Sequence, residues 1–576
     1  MREMLKEFLS FKRYIALVFL SAVGSVLSTL ALPMYLSRII NTAIPNGDMG
    51  SVLSIGALML AFVPAGILCS VLMGYFAAKV SVGIGRNLRN RVFKKVQEFS
   101  EMEFDKISTS SLITRTTNDV MQVQTFLNIL LRISLMAPFM AVGGIVMSLA
   151  KSVKLSMVLL VSMPLLLAFV FVMGSRIMPL STSMQEYLDE INLVIREKLT
   201  GIRVARTFGT EVYEEERFKK VNETFMHKSV RLHTLMSVLM PGLNLILYGT
   251  TLVLLAFGGL QILGGTSLPV GDIIAIVQYV MQIMMSVLMM SMVFLVYPRA
   301  AVSSKRINEV LTINPFISNV QNPVTQTSLK GHVSFRNVSF TFPDAKSPVL
   351  KDISFDSRPG EVTAIIGSTG SGKSTLINLI PRFYDVQCGE VLVDGINVKE
   401  MDLYTLRNKI GLVPQKTFLF KGSIAQNVTC GNKTCTKEDI EQALRVAQAY
   451  DFVMDKEEGL ETLITQGATN ISGGQKQRLS IARALTKKPS IYIFDDSFSA
   501  LDFKTDAALR KALLKEARNA SVILVAQRVS TIKDADQILV LENGHCVGRG
   551  RHEDLIKHCK VYQEIVYSQL SKEEVQ

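Results

Sequence analysis

Cysteine is scarce and unpatterned in this chain. Six occur among 576 residues, at Cys69, Cys388, Cys430, Cys435, Cys546 and Cys559, and no spacing suits a disulfide framework or a metal site. Reduced, intracellular thiols are therefore expected. Charge is also sparse: 19% of residues are Asp, Glu, Lys or Arg, against 48% hydrophobic. Despite a net charge of +13, no nucleic acid is expected as a partner, because the basic residues form neither a stripe nor a tail. Many lie beside apolar runs, where cytoplasmic loops of membrane proteins carry them. No cleavable signal peptide is expected, since the apolar run after Arg2, Lys6, Lys12 and Arg13 is too long for a signal core.

What is abundant is apolar sequence in long runs. A bilayer needs about 20 mostly apolar residues. Six stretches qualify, near 14–36, 52–79, 127–150, 155–178, 236–263 and 273–297, and the first carries no charge. The segment 81–126 holds Arg86, Arg89, Arg91, Lys94, Lys95, Lys106 and Arg115, so it is expected in the cytoplasm; the loops near 41–50 and 264–272 lack Lys and Arg and are expected outside. The basic pair in "KSVK" (151–154) runs against this rule. An even number of spans leaves both termini cytoplasmic. Two inner segments, about 80–126 and 179–235, read as amphipathic helices projecting beyond the membrane. The expected division is a transmembrane domain over 1–310, a linker over 311–330 and a soluble domain over 331–576. In the last, short β-type runs alternate with helical stretches, which marks an α/β fold.

"VTAIIGSTGSGKSTLINLI" places Gly367-x4-Gly372-Lys373-Ser374 after a strand and before a helix. Such a loop turns backbone N–H groups inward around phosphate oxygens, here from Gly367, Ser368, Thr369, Gly370, Ser371 and Gly372 through Thr375. Lys373 supplies a point charge to the β- and γ-phosphates, Ser374 a magnesium ligand, and the helix start its dipole. Asp495, ending the apolar run "SIYIFD", is the expected outer partner of that magnesium. ATP and Mg2+ are the implied cofactors. Farther on, Ser472, Gly473, Gly474 and Gln475 open a helix and make a second anion-binding start in the same domain. One nucleotide can scarcely use both in one chain, so a partner domain is implied.

Together these segments resemble the ATP-binding cassette family over essentially the whole chain. The resemblance implies an exporter-type half-transporter: a six-helix membrane bundle followed by an α/β P-loop ATPase domain, in the cell membrane with the ATPase inside. It implies head-to-tail pairing of two cassettes, each ATP lying between one P-loop and the other chain's "SGGQ". It also implies that Phe342 stacks on adenine, that Gln415 of "GLVPQ" sits near magnesium and the membrane interface, and that Ser499 to Asp502 form the D-loop. Helical turns near 102–112 and 206–213 match the coupling helices.

Three positions depart from that family pattern. A glutamate general base is replaced by Asp496, one methylene shorter, and a displacement of about 1 Å can cost on the order of 100-fold in rate. A switch histidine is replaced by Gln527, which cannot carry positive charge near the γ-phosphate. Gln466 stands where exporters carry the X-loop glutamate. Two changes at one catalytic corner, beside an intact P-loop and an untouched "ISGGQ", imply the degenerate-site half of a heterodimer. The partner should carry the glutamate and histidine.

The spans hold almost no ionisable residues, which argues against a buried ion relay. The sixth is rich in methionine, at Met281, Met284, Met285, Met289, Met290 and Met292, with Gln278 and Gln282 among them. Methionine is deformable and suits varied apolar cargo, although packing against helices or lipid explains it equally well. The expected activity is ATP-driven export of hydrophobic or amphipathic compounds, multidrug-type. Lipid or peptide export, siderophore import through the exporter fold, and an ATP-gated channel or regulator are the alternatives.

Overall fold

The computed structural model describes residues 8, 10–264, 268–327, 330–343, 345–430, 432 and 434–569. Arg2, Lys6 and the middle of the 264–272 loop lie outside them. The chain divides into two units: residues 1–97 with 109–313, and residues 98–108 with 314–576.

In the first unit the apolar runs form six helical stretches, Lys12–Ala43, Met49–Gln97, Thr109–Lys151, Val153–Thr200, Glu211–Leu263 and Val270–Thr312. Each expected span lies inside one of them. At about 1.5 Å per residue the second, fourth and fifth are roughly twice as long as a bilayer is thick, so the amphipathic segments continue the same helices. Small residues allow close approach where the first, third and sixth stretches meet. A Cβ on Gly143 would come within 2.4 Å of Leu30 Cδ1, and one on Gly144 within 2.7 Å of Ile283 Cγ1. Beside them Tyr279 Oη donates to Leu30 O at 3.2 Å, satisfying a buried hydroxyl.

The "KSVK" exception has a structural reason. Lys151 Nζ lies 2.8 Å from Asp272 Oδ1 and donates to Ser37 Oγ at 2.9 Å, while Asn41 Nδ2 donates to the same Asp272 oxygen at 3.0 Å. This ammonium is fixed by a carboxylate rather than placed by the loop rule.

Two short helices overlap the turns expected near 102–112 and 206–213: α1 runs Glu101–Ile107 and α2 runs Ile202–Phe208. Gly209, at φ +63°, ends α2 in the left-handed conformation that glycine adopts without cost.

The second unit contains β1 (Val333–Phe340), β2 (Leu350–Ser357), β3 (Val362–Gly367), β4 (Cys388–Val393), β5 (Ile396–Asn397), β6 (Ile410–Val413), β7 (Ile491–Asp495), β8 (Ser521–Val525), β9 (Gln537–Glu542) and β10 (His545–Gly550). One sheet has the order β2-β1-β4-β5, antiparallel throughout; the other has the order β10-β9-β3-β8-β7-β6. Five strands of the second sheet, β9 to β6, are parallel. The residues of β7 and β8 are buried throughout, which explains why they read as continuous apolar runs rather than alternating ones. In a parallel sheet the ligand crevice forms beyond the carboxyl ends of the strands. The P-loop follows β3, Gln527 follows β8, Asp496 follows β7 and Gln415 follows β6, so four adjacent strands deliver four elements to one edge.

α1 belongs to this second unit. Met102 packs against its apolar core, Tyr384 Oη donates to Glu101 Oε2 at 2.6 Å, and the Phe316 N–H donates to Glu103 Oε1 at 2.7 Å.

Candidate nucleotide site

The P-loop is a nest of backbone N–H groups closed by short helix α3, Lys373–Asn378. Because α3 has six residues, the loop rather than a long helix dipole carries most of the anion attraction. Gly372 has φ +98°, a conformation strained for any side chain, and a Cβ there would sit 2.8 Å from Leu350 Cδ2. Lys373 is buried, and its Nζ donates to the carbonyls of Gly367 (2.8 Å) and Ser368 (2.7 Å) within the loop. Burial lowers its pKa, and the nearby Asp496 and Asp495 carboxylates oppose that shift. Ser371 Oγ is buried with no hydrogen-bond partner. An orphaned hydroxyl and a trapped ammonium in one glycine-shaped cradle fit a phosphate chain.

The two residues expected to hold magnesium are brought together. Ser374 Oγ donates to Asp495 Oδ1 at 3.2 Å, joining the start of α3 to the tip of β7. Burial pushes the Asp495 carboxyl above its ordinary pKa, partly offset by the Ser374 hydrogen bond. Among the described residues no group of three or more His, Cys, Asp or Glu could hold a metal. A hydroxyl–carboxylate pair that leaves the other positions to phosphate and water suits magnesium, which keeps much of its hydration.

The hydrolytic corner is assembled too, in an unexpected arrangement. Asp496 has φ +46° and its N–H donates to Val525 O at 3.0 Å, locking the turn onto the end of β8. Ser499 Oγ donates to Asp496 O at 2.9 Å. On the side chain, Gln527 Nε2 donates to Oδ2 at 3.0 Å, and Gln415 Nε2 reaches the same oxygen at 3.4 Å. The two replacements that the sequence singles out, Asp496 and Gln527, are therefore bonded to each other. Burial raises the Asp496 pKa, with Gln415 and Lys373 opposing. Its Oδ2 is engaged by two amides that hold no charge and pass no proton onward.

The expected second phosphate cradle lies at the start of α4, Gly473–Thr486. Ser472 caps it: Oγ accepts from Gln475 N at 3.3 Å, and Ser472 N donates to Gln475 Oε1 at 3.1 Å. Ser472 and Gly473 are exposed, and a Cβ on Gly473 would meet nothing within 4 Å. Asp502 also acts as a cap, accepting from Thr505 N at 2.9 Å, which holds its pKa below the ordinary value. Phe342 is half-buried and touches Tyr384 edge-on, with ring centroids 5.4 Å apart. Ser368, Thr369 and Gly370 stand exposed along the loop rim, and Thr375 lies half-buried in α3. Gln466, at the X-loop position, is exposed.

Two participants escape sequence reading. Gln569 ends helix α5, Lys560–Gln569; its Nε2 donates to Gln527 O at 2.7 Å and its Oε1 accepts from Val529 N at 2.9 Å. It thereby grips the backbone on both sides of Arg528, reaching Gln527 42 residues upstream of itself. Tyr384 links the Phe342 ring to Glu101, and burial followed by the Glu101 hydrogen bond raises its pKa. No local motif announces either residue.

A membrane span pattern and a cassette with P-loop, signature and metal acid now stand in one chain, and both halves match family models. Residues 15–287 match the ABC transporter transmembrane region, and residues 350–499 match the ABC transporter domain. The chain belongs to the ABC transporter family. An uncharacterized ABC transporter ATP-binding protein of Mycobacterium tuberculosis is 40% identical over 563 residues, covering 97% of this chain and 96% of that one. A lipid A-core flippase of Pseudomonas fluorescens is 34% identical over 497 residues (86% and 82%), and a Bacillus subtilis protein named for multidrug export is 31% identical over 563 residues (96% and 97%). The fold matches a bacterial Atm1-family ABC exporter with TM-score 0.81 at 24% identity, over 97% of this chain and 99% of that one. This ABC transporter chain therefore combines a transmembrane domain with an ATPase domain coupled to transport.

Proposed function

We propose that this half-transporter exports hydrophobic or amphipathic compounds, of the multidrug type, in a heterodimer whose catalytic turnover lies mainly in the other ATP site. The proposed division is a transmembrane domain over 1–310, a linker over 311–330 and the nucleotide-binding domain over 331–576, with both termini in the cytoplasm. Lys373 and the loop Gly367–Thr375 hold the phosphates, Phe342 the adenine, and Ser374, Asp495 and Gln415 the magnesium. Ser472, Gly473, Gly474, Gln475 and Asp502 serve the nucleotide bound to the partner's P-loop. Bound magnesium would neutralise charge on the phosphate oxygens.

One observation carries the proposal: Asp496 Oδ2 is bonded by Gln527 and Gln415. The two amides fix the orientation of a carboxylate one methylene shorter than glutamate, and a base misplaced by about 1 Å can cost on the order of 100-fold in rate. Gln527 adds no positive charge to stabilise the departing phosphate. Binding parts are complete while the hydrolytic parts restrain one another. The expected behaviour is retention of ATP.

The test is to load the assembled transporter with labelled ATP and follow both sites with time. Slow loss at this chain's P-loop and fast loss at the other support the reading; equal rates refute it. Uptake of a dye into inverted vesicles against its gradient separates a pump from an ATP-gated channel, which cannot build one.

A further inference from the structure

Five of the sequence's methionines gather around one cavity. Met136 and Met140, from the helix Leu135–Lys151, face Met281, Met285 and Met289 of the sixth stretch across a space of about 200 Å³. Met284, on the same stretch, is instead packed in the bundle core. The wall containing Met136 is irregular for a stated reason. Pro138 cannot donate to the carbonyl one turn back, and the segment before it, Leu130–Ser134, is wound as a π-helix. Such single π turns recur at functional sites.

The cavity has two polar members, both presenting acceptors. Gln282 Oε1 is buried with no hydrogen-bond partner. Ser286 is buried and spends its only hydrogen on Ile283 O at 2.7 Å, leaving oxygen lone pairs. Among the described residues no Lys, Arg, Asp or Glu lines the space. Thioethers make favourable contacts with aromatic rings. An orphan buried acceptor favours whatever ligand brings a donor to it.

We propose that this cavity is a cargo subsite for flat aromatic compounds bearing an N–H donor, the ring among the methionines and the donor on Gln282 Oε1. The assignment rests on the exporter reading and sharpens it. An anionic lipid headgroup finds no cation here and, apart from the Gln282 amide nitrogen, no donor. At about 200 Å³ the space is smaller than a whole drug site and accepts one ring system.

The test uses two cationic acridines that differ in the donor: 9-aminoacridine, which has amino hydrogens, and 10-methylacridinium, which has none. Binding to the full transporter in nanodiscs is read by fluorescence anisotropy, and uptake is followed in inverted vesicles. Gln282→Leu should weaken 9-aminoacridine by about ten-fold, the value of one lost buried hydrogen bond, and change 10-methylacridinium by less than about two-fold. Gln282→Met, which lengthens the methionine wall without an acceptor, should repeat that selective loss and serves if the leucine variant fails to fold. Equal effects on both acridines, or none on either, overturn the subsite while leaving export intact if wild type still concentrates either dye. Binding without any concentrative uptake by wild type overturns the exporter reading instead.

Discussion

Two helix starts in the cassette, at Lys373 and at Gly473, are made of similar small residues and end in different states. The first is closed on itself: Lys373 is buried against loop carbonyls and Ser374 is bonded to Asp495. The second is bare apart from its own capping box, with Ser472 and Gly473 exposed. The short helices α1 and α2 repeat the contrast. α1 is fixed through Glu101 and Glu103, whereas α2 buries none of its residues and leaves Val204 61% and Phe208 75% exposed. One member of each pair is satisfied within the chain and the other is exposed, as the proposed division of the cassette into two half-sites with separate duties expects.

The strongest way to break this comparison is Gly474→Asp. A Cβ there already sits 3.2 Å from Ala500 O, and the carboxylate adds negative charge where a phosphate is to be met. Transport and ATPase of the assembled transporter should fall by about 100-fold or more. Purified ATPase and dye export measure both.

Next in size is a gain. Asp496→Glu combined with Gln527→His supplies the longer base and a group able to carry charge. Hydrolysis of labelled ATP at this chain's own site should rise by about 10- to 100-fold. No rise would place the defect elsewhere in the corner.

Removing the bare coupling surface is a smaller perturbation. Val204→Asp with Phe208→Asp should lower drug-stimulated ATPase by about ten-fold while labelled-nucleotide binding persists. Loss of nucleotide binding would show that α2 serves the fold and not a partner.

A pH titration sharpens the contrast further. Burial raises the pKa of Asp495 and Asp496 above the ordinary value in the folded, nucleotide-free protein. In the window between the ordinary and the raised values the folded state binds more protons than the unfolded one. Acidification through that window therefore stabilises the empty protein. Magnesium-dependent ATP binding needs Asp495 ionised and should weaken over the same window. Thermal shifts with and without Mg-ATP should thus converge as pH falls toward the carboxylate range; a constant gap contradicts the assignment of Asp495.

Much of this was legible in the chain itself because the decisive signals are local. Twenty-residue apolar runs force helices, and Gly367 to Ser374 between a strand and a helix forces a phosphate loop. What was not legible depends on distant partners. The positive-inside rule has no means of foreseeing that Lys151 meets Asp272, 121 residues away. The sequence puts Asp496 and Gln527 at one corner but carries no sign of the 3.0 Å bond that joins them. Gln569 has no motif, because its role is to hold backbone at Gln527 and Val529 across the sheet edge.

The smallest expected effect is the most direct test. Asp496→Asn removes the carboxylate of this chain's own site and leaves the half-site at Gly474 untouched. Dye export by the purified heterodimer, measured beside Gly474→Asp, should stay within about two-fold of wild type, because little chemistry rests on a base one methylene too short with no positive charge beside it. If Asp496→Asn instead abolishes export as Gly474→Asp does, this chain hydrolyses its own ATP and the division of duties is wrong.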